Sequence, residues 1–203
     1  MTESAENLKR PDTTPHPGRM LPQTANTKLA MWFFLGGEVI LFAALILTFL
    51  MFRIQYASDY AIFRQFLNLP LVAINTLILV TSSFFVVRAL QAIKQNNQRG
   101  LVRNLLVVFA LGAIFMGGQA YEWSTLFNND ILPITTFGAP FFVITGIHGS
   151  HVLIGMAWAC FVTMYGLRDT YSNQEFSGVE FFGLYWHFVD IVWIVLFSVI
   201  YLL

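Results

Sequence analysis

Five apolar stretches, each long enough to cross a lipid bilayer, dominate this sequence. They cover about 29–52, 69–90, 101–123, 136–167 and 179–203. A bilayer-spanning helix needs about 20 apolar residues, whereas the strands of a membrane barrel have about 10 residues with alternating polarity. Only helices satisfy the backbone hydrogen bonds of such long stretches within lipid. The sequence therefore predicts an all-α integral membrane bundle of five transmembrane helices.

The composition agrees with a membrane protein and excludes several other classes. Hydrophobic residues make up 57% of the chain and charged residues only 11%, whereas soluble domains have about 45–50% and about 25%. The net charge is zero, so no basic surface for nucleic acid is expected. The single cysteine, Cys160, excludes an internal disulfide and a cysteine-based metal site. We predict that Cys160 is a small buried apolar residue.

The ends and loops of the chain predict its organisation and orientation. Residues 1–28 are polar and rich in proline, which predicts a flexible cytoplasmic tail ahead of a bundle at 29–203. With five spans, nine lysines and arginines fall on the side of this tail. The other side holds Arg53 and Arg64. Because cations concentrate in cytoplasmic loops, the N-terminus is predicted to be cytoplasmic and the C-terminus outside.

A small set of polar residues lies within the predicted spans, where polar groups are costly and face the protein interior. The set is Glu38, Gln119, Glu122, His148, His151, His187 and Asp190, with Glu180 near the start of the last span. We predict that Gln119, Glu122, the three histidines, Glu180 and Asp190 form a structural hydrogen-bonded network that joins the last three spans.

Glu38 lies near the middle of the first span, and no cation precedes it within two helical turns. This position predicts a lone, neutral carboxyl group. Three roles remain open from the residues alone. Glu38 could form a hydrogen bond across helices, act as a proton relay, or react with lipid-soluble reagents.

His148 and His151 are three residues apart and share a helical face. Together with His187 and Glu122 they are also a conceivable metal site.

Packing is predicted from the small residues of the third span, because a small-residue stripe lets helix backbones approach closely in lipid. The stripe consists of Ala110, Ala113, Gly117 and Ala120.

Several strings in these spans resemble one family. The string YWHFVDIVW at 185–193 closely resembles the last helix of subunit III of the haem–copper respiratory oxidases. TGIHGSH at 145–151, QAYEW at 119–123 and the segment from Met31 to Phe42 are also similar to that family. The resemblance covers 29–203. It points to the shorter five-helix bacterial form, because the two additional N-terminal helices of the seven-helix members are missing.

The resemblance implies an accessory subunit of a proton-pumping terminal oxidase that reduces oxygen to water. It implies haem and copper in partner subunits, no catalytic centre and no metal in this chain, and bound phospholipid. Subunit I is the implied direct partner and subunit II a further one, while a subunit IV and a respiratory supercomplex stay open. The implied location is the bacterial inner membrane. The electron donor, cytochrome c or quinol, is not specified.

The resemblance also implies residue roles. Glu38 matches a carboxyl group that reacts with carbodiimide and lines a lipid-filled cleft, and Arg168 is the predicted contact for a lipid phosphate. Three alternatives remain. They are a related protein of a nitric oxide reductase system, an independent haem or metal protein built on the three membrane histidines, and a proton channel or transporter that uses Glu38 and Asp190.

Overall fold

A computed structural model of the chain describes residues 23–168, 171 and 176–203. Most of the predicted tail, residues 1–22, lies outside the described residues. The α-helices are α1 (Gln23–Gln55), α2 (Ala57–Phe63), α3 (Leu69–Lys94), α4 (Gln98–Asn128), α5 (Gly138–Leu167) and α6 (Ser177–Phe197). A 3₁₀ turn at Arg64–Phe66 follows α2, and a π-helical turn at Ser198–Leu202 continues α6. All helices except α2 are long and apolar enough to span a membrane, which confirms the predicted five-helix bundle.

The helices run past the predicted spans because their polar ends continue the helical backbone beyond the hydrocarbon. α1 begins at Gln23 rather than at Leu29, and α3 extends to Lys94. The loop between α3 and α4 is short, and the side chain of Asn97 caps α4 by accepting a 2.8 Å hydrogen bond from the amide of Gly100. This tight connection places α3 and α4 antiparallel to each other.

α2 was not predicted. This short helix lies between α1 and α3 and buries Tyr60 and Phe63 on one face, while Asp59 lies in its first turn. Residues three apart share a helical face, so this spacing was a visible signal. However, α2 is too short for its pattern to stand out beside the long apolar stretches.

The bundle has a central part and a peripheral helix. α3 packs on α4 and α6, and α5 packs on α4 and α6. α1 makes fewer contacts, mainly with α5 and α6. The indole of Trp186 fills the centre, where a Cβ atom added at Gly155 would lie 2.9 Å from its ring carbons. Gly155 thus permits α5 and α6 to approach closely.

Two sequence predictions about packing are wrong. The small-residue stripe of α4 is exposed in this chain, and a Cβ atom added at Gly117 would meet nothing within 4 Å. Cys160 is exposed rather than buried. In a membrane protein both the core and the outer face of a helix are apolar, so apolar character alone does not distinguish them.

Candidate functional site

Glu38 is not a lone carboxyl group, because α5 supplies a partner for it. His151 Nε2 lies 3.1 Å from Glu38 Oε2, and His151 Nδ1 lies 2.7 Å from the carbonyl oxygen of Ile147. A carbonyl oxygen only accepts, so Nδ1 carries a proton. Nε2 then either accepts the proton of a neutral Glu38 or, in an imidazolium, donates to a carboxylate. The pair has zero net charge in both states, which suits its depth in the membrane.

The spacing of buried residues along α1 explains how Glu38 reaches α5. The described side chains of α1 that are buried are Leu35, Phe42 and Phe49, which are spaced seven residues apart. Glu38 lies between the first two, where the second apolar position of a heptad falls. Phe42 packs edge-on against His151 with ring centroids 5.2 Å apart. Glu38 is therefore a polar residue within a narrow apolar seam, a position that fixes the register of two helices in coiled coils.

A second polar cluster joins α4 to the turn that follows α6. Tyr201 Oη donates a 2.7 Å hydrogen bond to Glu122 Oε2, and Gln119 Nε2 donates to the same oxygen at 3.3 Å. All three residues are buried. Gln119 and Glu122 therefore bond within their own helix, and the link between helices is made by Tyr201. The sequence does not single out Tyr201, because this residue lies within an apolar run.

His148 makes a separate link between α5 and α6. Its Nε2 lies 3.2 Å from the carbonyl oxygen of Val189, so Nε2 is the protonated nitrogen. Its ring lies against Trp193, with ring centroids 4.8 Å apart. Nδ1 is buried and has no hydrogen-bond partner in the described part of the chain. This arrangement is that of a packed structural histidine.

His187 and Asp190 both approach α3. His187 Nδ1 lies 2.5 Å from Ser83 Oγ. The Asp190 carboxyl group lies beside the same serine, but neither of its oxygens has a hydrogen bond of good geometry among the described residues. His187 and Asp190 therefore share Ser83 as a neighbour on α3. Ser83 was missed because a serine in a helix can satisfy its own hydroxyl group on the backbone.

Glu180 does not take part in this buried arrangement. It lies in the first turn of α6 and pairs with Lys28 of α1, with Lys28 Nζ and Glu180 Oε1 3.2 Å apart. Arg168 directly follows α5 and is exposed. The structure thus divides the predicted network into local pairs, each of which holds two elements together.

These pairs do not assemble a metal site. Across residues 23–168, 171 and 176–203, no group of three or more histidine, cysteine, aspartate or glutamate side chains is close enough to hold a metal ion. His148 and His151 share a helix but bond to different partners, Val189 and Glu38.

Comparison with known proteins assigns the family. The family model described as Cytochrome c oxidase subunit III matches residues 18–203. The chain belongs to this family. It is similar to a "Cytochrome c oxidase subunit 3" of Alkalihalophilus pseudofirmus, with 35% identity over 190 residues, 93% of this chain and 92% of the relative. A second protein of that name, from Thermostichus vulcanus, is 36% identical over 176 residues, 86% of each chain.

The name of a third relative specifies quinol rather than cytochrome c as the electron donor. It is a "Probable quinol oxidase subunit 3" of Staphylococcus aureus, 30% identical over 195 residues, 95% of this chain and 93% of the relative. The resemblance inferred from the sequence strings is confirmed. Membership in this family and the five apolar helices make the chain a multi-pass membrane protein of the oxidase subunit III class. Relatives of both names therefore align along most of this chain.

Proposed function

We propose that this chain is the accessory third subunit of a proton-pumping haem–copper terminal oxidase, which reduces oxygen to water. Family membership supplies the class of complex. The observation that carries the accessory role is the closed pair of Glu38 and His151. It joins α1 to α5 and keeps zero net charge in both protonation states. Such a pair holds helices in register and needs no proton to pass through it.

The partners follow from the family. Haem and copper belong to partner subunits in this proposal, subunit I is the direct partner and subunit II lies in the same complex. The outer faces of the helices carry many exposed large apolar side chains, including Trp32, Phe33 and Ile40 on α1. Exposed apolar surface of this extent is available to membrane lipid and to the transmembrane helices of partner subunits.

Purification through an affinity tag on this chain tests the assignment. We expect haem- and copper-containing oxidase subunits to co-purify, and the haem spectrum to stay with those subunits after the chain is dissociated. Haem or metal that remains bound to the separated chain, and is lost in the His148→Ala variant, would contradict the proposal. Co-purification with a nitric oxide reductase instead of an oxidase would replace it with the nearest alternative.

Glu38 is the proposed carbodiimide-reactive carboxyl group beside bound phospholipid. Its side chain is 18% exposed, whereas Glu122 and Asp190 are buried, so a lipid-soluble carbodiimide reaches it more easily. The reagent requires a protonated acid, and in the neutral form of the pair Glu38 carries the proton. We expect mass spectrometry to find the adduct on Glu38. Labelling of Glu122 or Asp190 with Glu38 unmodified would refute this role.

We place the N-terminus in the bacterial cytoplasm and the C-terminus outside the inner membrane. The support is the distribution of cations between the two ends of the bundle. A cysteine placed at Asn96, in the loop between α3 and α4, should stay unreactive towards membrane-impermeant reagents in intact cells. A cysteine at Ser58, near the start of α2, should react. If the cysteine at position 96 reacted and the one at position 58 did not, the topology would be the opposite of the one proposed.

A further inference from the structure

The outer end of the bundle, as oriented above, contains a hollow that the proposed function does not use. It has a volume of about 330 Å³ and lies between the end of α1, α2, the start of α5 and the turn after α6. Its lining combines two kinds of residue. Arg53, Tyr60 and Arg64 contribute polar groups, and Phe63, Phe137 and Ile200 contribute apolar surface.

The cations of this hollow have no acidic partner among the described residues. Arg53 uses one guanidinium nitrogen, Nη1, to donate a 3.1 Å hydrogen bond to the carbonyl oxygen of Val199. In the described part of the chain its other N–H groups have no recorded acceptor. No carboxylate in the described part of the chain lies within 4.0 Å of Arg53 or Arg64. Asp59, the carboxylate of α2, lines a different groove beside Ile62.

Tyr60 adds a buried donor without a partner. The residue is 7% exposed, and its hydroxyl group has no hydrogen-bond partner among residues 23–168, 171 and 176–203. Burial raises the pKa of Tyr60 to about 12, although nearby Arg53 opposes this shift. The phenol is therefore protonated at neutral pH and can donate. An unpaired buried hydroxyl group is unfavourable, and a hydrogen-bond acceptor bound in the hollow would satisfy it.

We infer that this hollow binds the phosphate group of a membrane phospholipid, with Arg53 and Arg64 beside the anion and Tyr60 as hydrogen-bond donor. Arginine is well suited to phosphate because its guanidinium donates several N–H bonds in a fixed plane. The aromatic walls formed by Phe63 and Phe137 suit the glycerol and the first methylenes of an acyl chain. The site depends on insertion in a membrane and not on the oxidase assignment.

The position of the hollow favours a lipid over a soluble anion. Arg53 lies in the last turn of α1, where the apolar stretch ends and the lipid headgroups begin. Ile54, the residue that follows Arg53, is exposed, so the hollow lies beside an apolar outer surface. A free phosphate ion would use the cations but would leave the apolar walls without a ligand. Arg168, the lipid contact predicted from the sequence, follows α5 at the opposite end of the bundle.

The test uses the full chain in detergent and measures lipid binding by native mass spectrometry. The probes are dioleoyl phosphatidylglycerol, dioleoylglycerol, which lacks the phosphate, and inorganic phosphate. Tyr60→Phe removes only the hydroxyl group, and its control is Tyr56→Phe, at an exposed tyrosine one helical turn earlier. Arg64→Gln removes one exposed cation, and its control is Arg99→Gln, an exposed arginine at the other end of the bundle.

We expect one phosphatidylglycerol to bind more tightly than dioleoylglycerol. Tyr60→Phe and Arg64→Gln should each weaken this binding by roughly tenfold, as for a lost hydrogen bond to a charged group, and the two controls should leave it unchanged. Equal binding of dioleoylglycerol would overturn the phosphate contact. Displacement of the lipid by millimolar inorganic phosphate would reassign the site to a soluble anion. If Tyr60→Phe lowers the melting temperature, the lipid binding of the Arg64→Gln variant alone tests the proposal, because Arg64 is exposed and its substitution should not disturb the fold.

Discussion

α1 and α6 are both apolar membrane helices, yet they are held in the bundle by different means. Half of the residues in the apolar stretch of α6 are buried, against 17% in the apolar stretch of α1. α6 is packed through large aromatic side chains such as Trp186 and Trp193, which are almost fully buried. α1 presents most of its surface outward and buries a narrow seam.

Polar contacts compensate for this sparse packing of α1. Lys28 pairs with Glu180 near the first turns of the helix, Glu38 pairs with His151 in the middle, and Arg53 donates to the carbonyl oxygen of Val199 near the end. Because helices in lipid do not gain from hydrophobic association, such contacts fix where α1 sits. The comparison suggests that α6 maintains the fold, while α1 is positioned by specific contacts and remains accessible to lipid and partners.

The largest expected effect is in α6. Trp186→Ala should lower the free energy of unfolding by about 3–5 kcal/mol, because it leaves a cavity against Gly155 and removes the 2.8 Å hydrogen bond from Nε1 to Ser82. Unfolding in mixed micelles, followed by circular dichroism, measures this. Trp32→Ala is the matched control, because Trp32 is 63% exposed on α1. If both variants lost the same stability, the distinction between the two helices would fail.

The next effect concerns the end of α6. Tyr201→Phe removes the shorter of the two hydrogen bonds to Glu122 and leaves a buried carboxyl group with Gln119 alone. We expect a loss of about 1–3 kcal/mol in the same unfolding measurement. The control Tyr56→Phe alters an exposed tyrosine and should change stability by no more than about 0.5 kcal/mol. If Tyr201→Phe left the free energy of unfolding unchanged, water or another group would have to satisfy the carboxyl group of Glu122.

The five spans and the family could be predicted from the sequence, because bilayer thickness dictates helix length and the strings around His151 and His187 are distinctive. The partners of the polar residues could not. The sequence indicates that Glu38 must face the interior, but the identity of the facing residue depends on the rotation of α1 and α5 about their axes. A one-residue change in register would place a different side chain opposite Glu38.

Other contacts could not be predicted because the sequence does not show whether an apolar or small hydroxyl residue faces the core or the outside of a membrane helix. Ser82 and Thr76 accept hydrogen bonds from the indoles of Trp186 and Trp193, yet neither stands out in α3. Tyr201 lies within an apolar run, and the small-residue stripe of α4 predicts a packing face although it is exposed. The position of a residue in an apolar helix is set by tertiary packing, which a single sequence does not encode locally.

A smaller effect tests the polar attachment of α1. In a double-mutant cycle of Glu38→Ala and His151→Ala, we expect a coupling free energy of about 0.6 kcal/mol and at most about 1.7 kcal/mol, the average and the maximum for hydrogen bonds between membrane helices. The cycle cancels the loss of each side chain's other contacts. A control cycle of Glu38→Ala with His148→Ala should show little coupling, because His148 bonds to the Val189 carbonyl oxygen instead. Zero coupling in the first cycle would remove the register role of Glu38.

The smallest effect is expected at the surface. Lys28 and Glu180 are paired at 3.2 Å, but their side chains are 51% and 33% exposed. Lys28→Gln should therefore cost no more than about 0.5 kcal/mol, and raising the salt concentration should remove the difference. A larger, salt-independent loss would show that this pair is the main attachment of α1.

The role of Glu38 in the complex tests the account most directly. The intact oxidase carrying Glu38→Gln should be compared with the unsubstituted enzyme for its initial rate of oxygen reduction, its proton stoichiometry and its inactivation during repeated turnover. Glutamine retains the size and hydrogen-bonding capacity of Glu38 but cannot ionise. We predict initial rates and pumping close to normal, with faster inactivation as lipid and α1 loosen. An immediate collapse of activity and pumping in an intact complex would place Glu38 on the proton path and contradict the accessory role.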